Sequence, residues 1–194
     1  MCKLLALILL LCAFTGAAAA DDFGQSYDRF QTLYAENVAF INQNTGRHLL
    51  PLNLTGTFNS EGERIYVLIS GALDVEIQLD DLAQQIAYCR ITLTAPAGMS
   101  YGDSQYNDFT ASGYHSYALL MAMSKASTAY ERYALVEEVN GGLSAHAGAY
   151  ETQVGDYALT CTSHNGTAVM LFENELLMGS GLETEDAPVI EIKE

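Results

Sequence analysis

"DYALTCTSHNGTAVMLF", Asp156 to Phe172, governs how the rest of this chain is read. Two runs of alternating apolar residues flank Asn165-Gly166, a pair that readily takes up the two positive-φ positions of a tight turn, so the stretch predicts a two-residue β-hairpin. The turn sets the register: Thr167 opposite His164, Met170 opposite Cys161, Phe172 opposite Leu159. Since strand side chains alternate between faces, Leu159, Met170 and Phe172 then share one apolar face with Cys161.

The cysteine on that face raises the question of its partner. Residues 1–20, "MCKLLALILLLCAFTGAAAA", carry one positive charge at Lys3, an apolar run and a small-residue end at Ala18-Ala19-Ala20, the pattern of a secretory signal peptide cleaved after Ala20. Its apolar run is too short for a membrane span, and the later sequence holds no run of about 20 apolar residues, so no membrane insertion is expected after cleavage. Leu11 before Cys12 argues against a lipidated cysteine, which normally follows a small residue. Cys2 and Cys12 leave with the signal, and in an oxidising compartment the remaining pair, Cys89 and Cys161, predicts one disulfide. Closing a loop of about 70 residues would remove denatured-state entropy worth on the order of 4 kcal/mol. The expected location is periplasmic or secreted.

Working outward, the segment from Asp22 to Asn44 places Phe23, Tyr27, Phe30, Leu33, Tyr34, Val38 and Ile41 at gaps of three and four, one face of an amphipathic helix that Asn44-Thr45-Gly46 would stop. "LLPLNLTGTF" and "RIYVLISGAL" flank a polar turn, Asn59 to Glu63, and predict another hairpin. Its second arm is apolar from Ile65 to Ile69, as a strand covered on both faces would be. Val75, Ile77 and Leu79 alternate like a strand, whereas Leu79, Leu82, Ile86 and Cys89 recur at helical spacing after Asp80-Asp81, which predicts a short helix ending at Cys89. "RITLTAP" reads as a further strand. From Asp108 to Val139 the chain reads as one long helix, capped by Asp108, ended by Asn140-Gly141-Gly142 and lined by Ala118, Ala122, Ala126 and Ala129. Residues 183–194 form an acidic tail in which "VIEI", Val189 to Ile192, can add an edge strand.

Both halves read as helix followed by strands with one cysteine each, and Asp22-Phe23 resembles Asp108-Phe109, but the spacings diverge beyond that point. The expectation is therefore one α+β domain over residues 21–182: two main helices, one of them long, packed on a mostly antiparallel sheet and fastened by Cys89–Cys161.

Charge narrows the partners. The chain has 8 basic and 24 acidic residues, a formal net charge of −16. Such a surface repels nucleic acid and anionic lipid and attracts a basic protein. Catalytic spacings are missing. "GYHSYALLMAM", Gly113 to Met123, sets a histidine beside methionines, but on a helix Met121 lies about 240° from His115 and Met123 two turns on, so they cannot readily share a metal. His48, His115, His146 and His164 form no pair at metal-ligand spacing. There is no G-x-S-x-G elbow, calcium loop, phosphate loop or dinucleotide fingerprint, so no cofactor or metal is expected.

Recognition remains. Twelve tyrosines and no tryptophan are unusual, and "MSYGDSQYND", Met99 to Asp108, mixes Tyr with Gly, Ser and Asp as adaptable binding loops do. Tyr101, Asp103, Tyr106, Tyr114 and His115 are the candidate binding residues. The functional expectation is a non-catalytic binding protein of inhibitor or immunity type for a cationic partner. The alternatives are a glycan-directed hydrolase of the cell envelope, using acids such as Asp80-Asp81, Glu137-Glu138 and Glu183 to Asp186, and a structural component of an envelope assembly.

Overall fold

The structure is a computed structural model and describes residues 24–80 and 84–178. The signal segment, the acidic tail and "VIEI" lie outside the described residues. Helix α1 (Tyr27–Thr45) starts where the Ser26 side chain accepts the Arg29 N–H, and stops at Gly46, whose φ of 67° is the left-handed conformation glycine adopts without strain. Tyr27, Phe30, Leu33, Tyr34, Val38 and Ile41 are all buried, as their spacing predicts.

Four strands follow: β1 (Thr55–Phe58), β2 (Arg64–Ser70), β3 (Leu73–Leu79) and β4 (Ile86–Thr94). Then come α2 (Ser104–Ala122), α3 (Ala129–Ala145), β5 (Ala149–Val154), β6 (Tyr157–His164), β7 (Thr167–Glu173) and the short α4 (Glu175–Met178). The seven strands form one antiparallel sheet in the order β1-β2-β3-β4-β7-β6-β5. One helix precedes the four-strand meander β1–β4 and two precede the three-strand meander β5–β7, and the last strands of the two meanders, β4 and β7, pair at the centre. The halves share helices followed by strands but neither the number of elements nor their spacings.

The hairpin at Asn165-Gly166 has the predicted register, with Thr167 opposite His164, Met170 opposite Cys161 and Phe172 opposite Leu159. Asn165 at φ 49° and Gly166 at φ 78° supply the two left-handed positions. The face carrying Cys161 joins Leu73, Val75, Ile77, Cys89, Ile91, Leu159, Met170 and Phe172 in the core against α1, α2 and α3. This is the α+β architecture expected, with helices on one face of an antiparallel sheet.

Four expectations are corrected. The first is the disulfide, since Cys89 and Cys161 are free thiols. Cys89 on β4 faces Phe172 of β7, and Cys161 on β6 faces Met170 of the same strand, so β7 lies between them. Two strand spacings put their Cα atoms about 10 Å apart before the two-residue offset is added, beyond the roughly 7 Å a disulfide spans. The second is the short helix ending at Cys89, where β4 forms instead. Residues 86–94 hold Ile86, Tyr88, Ile91, Thr92 and Thr94, β-branched and aromatic side chains that favour a pleated strand, and the three-four spacing arises across the connection from β3.

The third is the long helix, which is two. The chain breaks after Met123 and restarts at Thr128, whose hydroxyl accepts the Glu131 N–H while the Glu131 carboxylate accepts the Thr128 N–H. That reciprocal cap is a T-x-x-E signature that outweighs the run of helix formers around it. At the other end α2 is capped by Asp103, which accepts from Tyr106, five residues ahead of the expected Asp108. Helix α3 also runs through Gly141-Gly142 to Ala145, and the Tyr150 ring lies where a Cβ at Gly142 would be, so that position takes no side chain. The fourth is β2, which is not covered on both faces: Ile69 is 83% exposed.

Candidate functional site

On the helical side, away from the sheet, the three main helices leave a cleft of about 390 Å³, within the roughly 300–1,000 Å³ range of ligand sites. The last turns of α1 contribute Phe40, Ile41, Asn44 and Thr45. Helix α2 adds Tyr114 and Tyr117, and α3 adds Tyr130, Tyr133, Ala134 and Glu137. Tyr114 and Tyr117 are three apart, and Tyr130, Tyr133 and Glu137 follow at three and four, so each set is one stripe of its helix. The rings of Phe40 and Tyr133 lie 6.1 Å apart at 49° across the cleft. At its edge the Arg47 guanidinium stands 5.4 Å from the centroid of Tyr114.

The cleft is held by buried polar bonds beneath it. Arg132 on α3 is 1% exposed. Its Nε donates to Asn37 Oδ1 at 2.8 Å, its Nη1 to the carbonyls of Ala126 and Ser127, and its Nη2 to Glu36 Oε2 at 3.0 Å. Asn37 in turn donates to the Ala118 carbonyl, so one guanidinium and one amide tie all three helices together. Alongside, Tyr34 Oη accepts the Leu52 N–H at 3.2 Å and lies 2.9 Å from His115 Nδ1. With its acceptor side used by Leu52, the hydroxyl has its hydrogen for Nδ1, which fits a neutral imidazole. Burial pushes His115 below its ordinary value and pushes the Tyr34 phenol up to about 12.

The five candidate residues do not converge. Tyr114 lines the cleft. His115, next along the chain, turns inward to Tyr34 and is 6% exposed, deeper than a helix edge. Asp103 is spent on capping, accepting from Ser100 and Tyr106. Tyr101 and Tyr106 pack ring to ring at 4.9 Å at the start of α2, about 12 Å along the helix from Tyr114. Tyr101 is 88% exposed, so this pair stands at the surface, apart from the cleft. No binding role was expected of Phe40, Tyr117, Tyr130 or Tyr133, and Glu137 was weighed only as a hydrolase acid; for Tyr130, Tyr133 and Glu137 the missed cap at Thr128 is why, since a single helix through residues 108–139 gives α3's aromatic stripe no separate element to belong to.

Catalytic arrangements fare poorly among the described residues. No group of three His, Cys, Asp or Glu side chains is placed to hold a metal. Ser116 donates to the Gly113 carbonyl and Ser144 to the Asn140 carbonyl, so both hydroxyls are tied into their own helices. Glu137 is the one acid lining the cleft, while Glu138 accepts from Tyr150 and Thr152 on the sheet side. Burial raises both thiols above their ordinary value, Cys161 to about 12, which removes the thiolate a nucleophile needs. No helix among the described residues is long and apolar enough to cross a membrane.

No protein family, curated protein or solved structure matches this chain. Function is therefore read from the site itself.

Proposed function

We propose that this protein is a secreted or periplasmic recognition protein that binds a basic protein partner without catalysing a reaction, and that the cleft between α1, α2 and α3 is where the partner docks. The observation that carries this reading is the composition of the cleft: five aromatic rings from three helices, with one carboxylate, Glu137, among them. Aromatic rings supply contact area at low entropic cost, which suits an interface anchor. Glycoside cleavage needs two acids across the scissile bond, and this cleft offers one. The chain's net charge of −16 favours a basic partner and its fast encounter.

The test is capture. The purified chain is immobilised and exposed to extracts of the source organism's envelope and culture medium, and the retained proteins are identified. The reading expects proteins of high isoelectric point that elute with salt. Retention of acidic and neutral proteins alone, or retention indifferent to salt, would reject it.

A further inference from the structure

The cleft's chemistry is narrower than "aromatic". We infer that it binds one organic cation on a flexible alkyl stem, as a lysine or arginine side chain of the partner would present it, and that Arg47 of this chain is a built-in competitor at its edge. The inference rests on the reading of the cleft as the docking site.

Four observations point the same way. Tyrosine and phenylalanine rings present a negative face to a cation, and five of them share this cleft. Glu137 adds a carboxylate at the same place. Asn44 and Thr45 bring the last turn of α1 to the cleft wall, and that turn, which holds no basic side chain, carries the negative end of the 19-residue helix. Most directly, a cation already uses one of these rings: the Arg47 guanidinium stands 5.4 Å from the Tyr114 centroid. In a chain with only 8 basic residues, one of them is placed there.

Other ligand classes fit less well. A neutral sugar would leave the Glu137 charge and the carbonyl end of α1 without a counter-charge, and Thr45 Oγ1 and Asn44 Nδ2 already donate to the Ile41 and Phe40 carbonyls. An anion would meet Glu137 and the carbonyl end of α1. A purely apolar ligand would gain nothing from either.

The experiment is an amide-resolved NMR titration of the full chain with N-acetyl-lysine methylamide, N-acetyl-arginine methylamide and the neutral N-acetyl-norleucine methylamide. The two cations are expected to shift Tyr114, Tyr133 and Glu137, and to bind roughly 3–5-fold more tightly than norleucine, the range one surface cation–π contact supplies. Glu137→Gln and Tyr130→Ala, both exposed positions, should weaken cation binding while leaving the thermal transition in place. Arg47→Gln should strengthen it by removing the competitor. The relative strength of the lysine and arginine compounds identifies the side chain. Equal binding of norleucine, or cation shifts confined to other surfaces, overturns the inference. If a basic partner is captured but excess lysine compound does not displace it, the inference falls and the recognition reading stands. If the cations bind the cleft but no basic partner is captured, the reverse holds.

Discussion

Two buried polar arrangements, the Arg132 network and the Tyr34–His115 bond, brace the helical layer, and each gives a measurable expectation. Arg132 feeds four acceptors from a site that is 1% exposed, so Arg132→Ala leaves Asn37 and two carbonyls without their donor. The loss should be about 3 kcal/mol, read as a shift in the denaturant midpoint, and Arg132→Lys should recover little because an ammonium cannot match the planar fork. The Tyr34–His115 bond has a pH signature on both sides. His115 is held below 6.5 by burial, so the unfolded chain takes up the proton first, and stability should fall as pH drops below about 6.5. His115→Gln should flatten that part of the curve. Tyr34 is pushed from 10.0 up to about 12, so its contribution is intact below pH 10 and is lost as pH rises toward 12. Spectrophotometric titration of the phenols against unfolding would show whether that tyrosine ionises only as the chain opens.

Among the elements, those whose sequence carries a local rule were legible. The Asn165-Gly166 hairpin was readable to the residue because turn chemistry fixes register, and α1 because its apolar side chains repeat at helical spacing. The errors came where two rules compete. Leu79, Leu82, Ile86 and Cys89 satisfy a helical period while the β-branched content of residues 86–94 calls for a strand, and the pairing of β4 with β3 on one side and β7 on the other decides for the strand. The alanine row hides a break at which a capping box outweighs propensity. Thr128→Ala should therefore cost about 1 kcal/mol, more than an average surface change. The cysteine pairing failed for a topological reason: which strand lies between two others is set by the order of the whole sheet and cannot be read from spacing. The native protein should leave both Cys89 and Cys161 unreactive to a thiol reagent, and the denatured protein, without reductant, should titrate both. A bridged species in the non-reduced denatured protein would contradict the strand order β4-β7-β6.

Across the whole molecule, the two faces of the sheet divide the labour. One is sealed by the helices and forms the core. The other is open, with Ile69 83% exposed and the surface pair Arg90–Glu76 at 3.0 Å, which is worth little in water. The cleft therefore sits on the layer farthest from the sheet, where α1, α2 and α3 converge and where the aromatic stripes of two separate helices meet. Tyr114 was the one cleft residue given a binding role from sequence, Glu137 having been named only among possible hydrolase acids, because the cleft is made by bringing Phe40, Tyr117 and Tyr133 together from distant parts of the chain. What the sequence did show was the ingredients, an acidic chain rich in tyrosine, and those set the kind of partner. The most direct test compares the wild-type chain with Glu137→Lys as bait for the same extract, at low and high salt. The cleft account predicts that basic proteins held by the wild type are released by salt and missing from the variant. The same proteins retained by both chains would contradict it.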